Sequence, residues 1–130
     1  MAFEYVDSQH KISVAAGADL STKQYTFVKM SGTGVIAVAA ATDVPIGILQ
    51  NAPTSGKTAE VAISGVSKLK ASAAISAGAI VGVTAAGLAV ALTVGTDTTK
   101  YILGQAITAA GAANDIISVA FDCKSPSRAA

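Results

Sequence analysis

The sequence predicts an all-β fold: a small, pseudo-two-fold repeated β-barrel or sandwich with an extended N-terminal arm and at most one short helix. Three observations lead there. A half-length pattern occurs twice, short apolar runs alternate with turn signals, and the composition is rich in small apolar residues but poor in charge. The first copy spans residues 25–64 and the second residues 79–121. Each reads as a strand, a Gly-marked turn, a second strand, an Ile- or Leu-Gly step and a closing strand. Gly34 and Gly87 mark the turns, and Gly47 and Gly104 sit inside the strand that follows. Two copies of one unit suit a small paired fold and not a solenoid, which needs three or more repeats.

Taken in chain order, residues 1–22 lack sustained periodicity and read as an arm, with a short strand at 11–15. The β domain follows over residues 23–122. Its turn signals are Ser31-Gly32-Thr33-Gly34, the Asn/Pro/Ser/Gly stretch 51–56, Ala85-Ala86-Gly87 and Ala109-Ala110-Gly111. Residues 35–40 and 88–92 are apolar on both faces, as fully buried strands should be. Residues 57–63 alternate, with Ala59, Val61 and Ile63 on one face and Thr58, Glu60 and Ala62 on the other. Residues 71–77 and 108–113 are Ala-rich, and Ala is the best helix former. Both are short and bounded by Gly, so one helical turn or a loop is the limit. Tyr25, Phe27, Tyr101 and Phe121 are expected to cap the core. Residues 123–130 are polar, contain Pro126 and are expected to form a flexible tail.

A chain of 130 residues supports one domain, burying about two-thirds of the surface its unfolded form exposes. Hydrophobic residues make up 52% and charged ones 13%, against a usual charged share of about 25%. Aromatics are 5%, with no Trp. Such a chain presents an apolar, weakly charged surface, which marks protein–protein contact. A homo-oligomer docked on something larger is therefore expected. Net charge of +1 with dispersed Lys and Arg is too weak a footprint for nucleic acid. No secretory leader pattern opens the sequence, and no run of about 18 apolar residues is free of turn signals. The single Cys123 excludes an internal disulfide. A soluble protein made in a reducing compartment, with no membrane partner, is the expectation.

Candidate chemistry is sparse. Asn51-Ala52-Pro53-Thr54-Ser55-Gly56-Lys57-Thr58 ends like a phosphate-binding loop. That loop needs Gly where Asn51 stands, and it must open a helix, whereas residues 58–63 read as a strand. A hairpin loop with a solvated Lys57 is the better reading. Lone His10 lies in the arm and Cys123 beside the tail, so no Ser–His–carboxylate or Cys–His set forms unless the two termini meet. The carboxylates Glu4, Asp7, Asp19, Asp43, Glu60, Asp97, Asp115 and Asp122 are dispersed. No metal site, cofactor, catalytic residue or small-molecule substrate is expected. Lys68 invites comparison with a lipoyl or biotinyl carrier domain, which also has two β halves. Such carriers show their Lys at a hairpin tip in a Met-Lys or Asp-Lys context, and Lys68 follows Ser67 within an alternating segment.

Phe3, Tyr5 and Val6 are apolar side chains in a segment that a small domain has little need to order. In an arm they suit docking on a neighbour, as an added strand or as plugs in pockets; the blander alternative is a disordered terminus.

Beyond these readings, the chain resembles the capsid cement (decoration) proteins of tailed bacteriophages. The resemblance rests on Ala18-Asp19-Leu20-Ser21, Gln24-Tyr25-Thr26-Phe27-Val28-Lys29, Pro45-Ile46-Gly47-Ile48-Leu49-Gln50-Asn51-Ala52-Pro53 and Val61-Ala62-Ile63-Ser64-Gly65-Val66-Ser67-Lys68. Ala77-Gly78-Ala79-Ile80-Val81, Ile102-Leu103-Gly104-Gln105-Ala106 and Ile117-Ser118-Val119 complete it, over residues 18–121. The family's acidic residue after the Gly of the Ala77-Gly78 step is Ala79 here. The resemblance implies a virion protein, made in the bacterial host cytoplasm, that sits on the outer capsid surface. It further implies a homotrimer bridging neighbouring major capsid proteins, with no catalytic residues. Phe3, Tyr5 and Val6 then become the expected capsid-binding arm. A tail or head-fibre base protein is the alternative within virion structure.

Overall fold

The computed structural model describes residue 2 and residues 10–130 of the chain. It is all-β. The strands are β1 Lys11–Ala15, β2 Phe27–Ser31, β3 Gly34–Ala37, β4 Gly47–Leu49, β5 Thr58–Ala62, β6 Ser64–Lys70, β7 Ile80–Val83, β8 Ala89–Ala91, β9 Tyr101–Ile102, β10 Gly104–Ala106, β11 Ile116–Asp122 and β12 Ser127–Arg128. They form two five-stranded antiparallel sheets, ordered β1-β5-β4-β2-β3 and β6-β11-β10-β7-β8, and a small β9–β12 ribbon. The two orders are the same order, with β1 to β5 replaced by β6, β7, β8, β10 and β11. The strand at 11–15 extends the repeat by one member, since it is to the first sheet what β6 is to the second.

Register makes the repeat residue-specific. Val28 pairs with Ala37 and Gly47, and Val81 pairs with Ala91 and Gly104. Parallel bridges Ala16–Val35 and Ala71–Ala89 then tie the first strand of each sheet to its last, curling each open sheet on itself. Loop hydrogen bonds recur too. Tyr25 N–H donates to Leu49 O and Gly78 N–H to Ala106 O, and both residues have positive φ. A left-handed position that Gly78 fills without penalty is thus occupied by a tyrosine in the first half.

Seven matched positions build the two interiors. Val28, Val35, Leu49, Ala59, Val61 and Ala16, with half-buried Val14, fill the first. Val81, Ala89, Ala106, Ile117, Val119, Ala71 and Leu69 occupy the same places in the second. Volumes are exchanged between matched positions: Leu49 and Val35 are large where Ala106 and Ala89 are small, while Leu69 and Ile117 are large where Val14 and Ala59 are small. Close packing requires such compensation. Gly47 and Gly104 are matched for one reason. A Cβ on Gly47 would lie 2.1 Å from Ala62 O, and one on Gly104 2.3 Å from Ala120 O.

Several expectations need correction. Gly34 and Gly87 are one step out of register. Gly34 closes a two-residue hairpin with Ser31, while Gly87 lies in the longer turn whose Thr84 N–H donates to Leu88 O. Residues 11–20 do not belong to the arm expected over 1–22. β1 pairs along its whole length with β5, and Leu20 is buried in the first core. Residues 123–130 are not a free tail: β12 pairs with β9, Ala129 is fully buried, and Arg128 lies over the Tyr101 ring. Short polar sequence gave no periodicity by which to see this pairing. Residues 71–77 and 108–113 form bridges and turns, not helix. Phe27 and Phe121 are core residues and Tyr101 packs against them. Tyr25 instead lies under the Lys68 ammonium.

Candidate adhesion surface

Phe3, Tyr5 and Val6 lie outside the described residues, which resume at His10. His10 O accepts Ile63 N–H at 2.8 Å, and Cys123 N–H donates to Ile63 O. His10 Nδ1 also hydrogen-bonds Ser64 Oγ. The β5–β6 junction therefore brings residues 10 and 123 to the same residue, Ile63, and His10 meets a serine there. Cys123, however, is buried, and burial, then the Asp122 charge, push its thiol up to about 12. That leaves no thiolate at neutral pH, and the thiolate is the nucleophile. No three His, Cys, Asp or Glu side chains are grouped to hold a metal ion among the described residues.

Asp43 and Asp97 are matched residues whose role the sequence did not disclose. Asp43 accepts Ala39 N–H, Ala40 N–H and the Lys29 ammonium. Asp97 accepts Thr93 N–H and pairs with Lys100. The Lys29 hydrogen bond first, and then the Ala39 amide, hold the Asp43 carboxyl below the ordinary range. The Thr93 amide does the same for Asp97. Each carboxylate fixes a loop that carries an exposed valine: Val44 is 49% and Val94 54% accessible. These loops can adhere to an apolar surface, and they offer no acid–base group poised near neutral pH. An aspartate a few residues after the loop's first amide, in both halves, was the available signal.

The 51–58 loop is a hairpin connection. Asn51 bonds both Glu60 N–H and Thr58 O, and the chain continues as β5, so the phosphate-loop helix is not formed. Lys68 lies mid-strand in β6, not at a hairpin tip. A shallow open groove runs over the second sheet, lined by Ile80, Ile102, Gln105, Ala120, Phe121 and Asp122.

A family model described as phage cement protein matches residues 6–121. The chain belongs to that family. The match covers both halves and begins within the N-terminal segment, and it makes the cement protein a structural component of a phage virion. The chain is also similar to a solved structure, the head fiber gp8.5 N base of bacteriophage phi29. Identity is 16%, the TM-score is 0.66, and the match covers 86% of this chain and 92% of that one. At that identity the likeness concerns the fold. No curated protein matches the chain.

Proposed function

We propose that this cement protein decorates the outer surface of a phage capsid and stabilises it by bridging major capsid proteins as a homotrimer. The family match over residues 6–121 carries the reading. The site chemistry agrees with it: the conspicuous features are capped loops with exposed valines and an open groove. Three copies of one weak contact set bind tightly once the first contact forms. A ligand that binds the assembled lattice in preference to free capsid protein stabilises the lattice by mass action. Phe3, Tyr5 and Val6 supply the apolar anchors in this reading. The test is co-sedimentation with undecorated, expanded shells, followed by electron microscopy. Full-length protein should add density on the outer face between capsid subunits, and deleting residues 1–9 should abolish it while the domain melts as before. Undiminished decoration by the truncated chain would remove the arm from the account; absence of density with the full chain would remove the function. A second reading, the base of a larger head appendage, is favoured by the likeness to a head-fibre base, and the same images would show a projecting stalk.

A further inference from the structure

The two halves pack on each other head to tail, which leaves one copy of the interface unused at each end. In the first sheet, the face opposite its core presents Phe27, Ile48 and Ala62, all fully buried against the second half. The surface that receives them is β6 and the β7–β8 turn. Phe27 N–H donates to Gly87 O, Lys70 N–H donates to Tyr25 O, and Gln50 Nε2 donates to Ser67 Oγ at 2.9 Å. Had the halves met through a two-fold axis, the matching face of the second sheet would be buried as well. It is open: Ile80 is half-buried, and Gln105 and Ala120 are exposed. The surface in the first half that matches β6 is β1; it is bridged to β3 at Ala16, as β6 is followed by the Ala71–Ala89 bridge, and its Lys11, Ser13 and Ala15 are exposed.

What covers that open face can be read from the repeat. Register matches Ile107 to Gln50 and Ile12 to Ser67. The polar pair that joins the halves within one chain is thus replaced, on the two unused surfaces, by two isoleucines. Ile107 is 40% accessible, and Ile12, which packs against the rim of the first core, is left half-exposed. Ala15 corresponds to Lys70 and Gly78 to Tyr25. Ala16 N–H points to Lys57 O, so by strand alternation Ala15 N–H faces away from β5. Gly78 O receives the Gln105 amide at 2.9 Å and keeps a second lone pair.

We infer that the Ile80–Gln105–Ala120 face of one subunit docks on the β1 edge of a second copy, Ile107 against Ile12, continuing the interface that joins the halves within one chain. Such a heterologous contact makes a ring where its rotation closes, and three subunits then place six halves around one axis. The inference rests on the trimer reading and gives it an interface. Cysteine variants test it, treated with a short bismaleimide. Mixed I12C and I107C proteins should give a cross-linked dimer, the I12C/I107C double variant a ladder ending at three, and each single variant alone nothing. Adding A120R, an exposed change that leaves the fold intact by circular dichroism, should abolish every band and yield a monomer in analytical ultracentrifugation. Cross-linking by either single variant, a wild-type monomer at tens of micromolar, or an A120R trimer would overturn the inference. Shell decoration by an A120R trimer would still support the cement function, and cross-linked rings that ignore shells would contradict only that function.

Discussion

The first half of this protein hides both faces of its sheet, whereas the second hides one. Phe27 and Val28 are adjacent and both fully buried; their counterparts Ile80 and Val81 are half-buried and fully buried. Ile48, sealed in the junction, becomes Gln105 at the surface, and Ala62 becomes the exposed Ala120. The cores agree in strand order, register and loop hydrogen bonds, so the difference does not come from the β unit. It comes from what each unit is packed against. A repeated sequence therefore specifies two similar cores, and a few outward-facing side chains decide which surface is spent inside the chain and which remains for contact.

The sharpest way to break this comparison is at the paired glycines. Gly47→Ala and Gly104→Ala each drive a methyl into a backbone oxygen. Both should cost about 3 kcal/mol or more, by urea denaturation. A tolerated change in either half would mean that the two cores are not built alike. Next comes the exchange at the junction. Ile48→Gln should cost about 3 kcal/mol, through lost burial and an amide without guaranteed partners. Gln105→Ile should change stability by less than about 1 kcal/mol and raise the tendency to associate. Equal costs would erase the distinction between the spent and open faces.

A smaller effect distinguishes the capped loops. Asp43 is held below its ordinary pKa by Lys29 and the Ala39 amide. A carboxylate depressed in the folded state contributes stability that is present above the unfolded value, near pH 4, and lost as pH falls through the folded value. Melting temperature should fall on acidification below about pH 4, and Asp43→Asn should flatten part of that slope while lowering stability at pH 7 by about 1 kcal/mol. An unchanged acid slope in the variant would show that Asp43 does not carry this term.

Part of the fold was legible because period and punctuation agree, as where Gly47 and Gly104 fall at matching steps. Residues 35–40 and 88–92, apolar throughout, read as fully buried strands, but β3 and β8 are edge strands with one buried residue each. β1 was visible only as a short run, since its partner β5 lies over forty residues away and alternation alone cannot name it. β12 was invisible: two residues, Ser127 and Arg128, carry no pattern. The adhesive surface was least legible. Isoleucines 80 and 107 look like core residues in a sequence, and only their partial exposure beside the burial of Phe27, Ile48 and Ala62 sets them apart. The Asp43 and Asp97 loop caps looked dispersed because they bind main-chain amides and one lysine each, not one another.

The role as an adhesive wedge is tested most directly by scanning calorimetry of undecorated expanded shells, alone and after saturation with this protein. The account requires the shell transition to move upward by several degrees, with the shift lost when residues 1–9 are removed. A shell transition that stays where it was, under conditions where the protein itself remains folded, would contradict it.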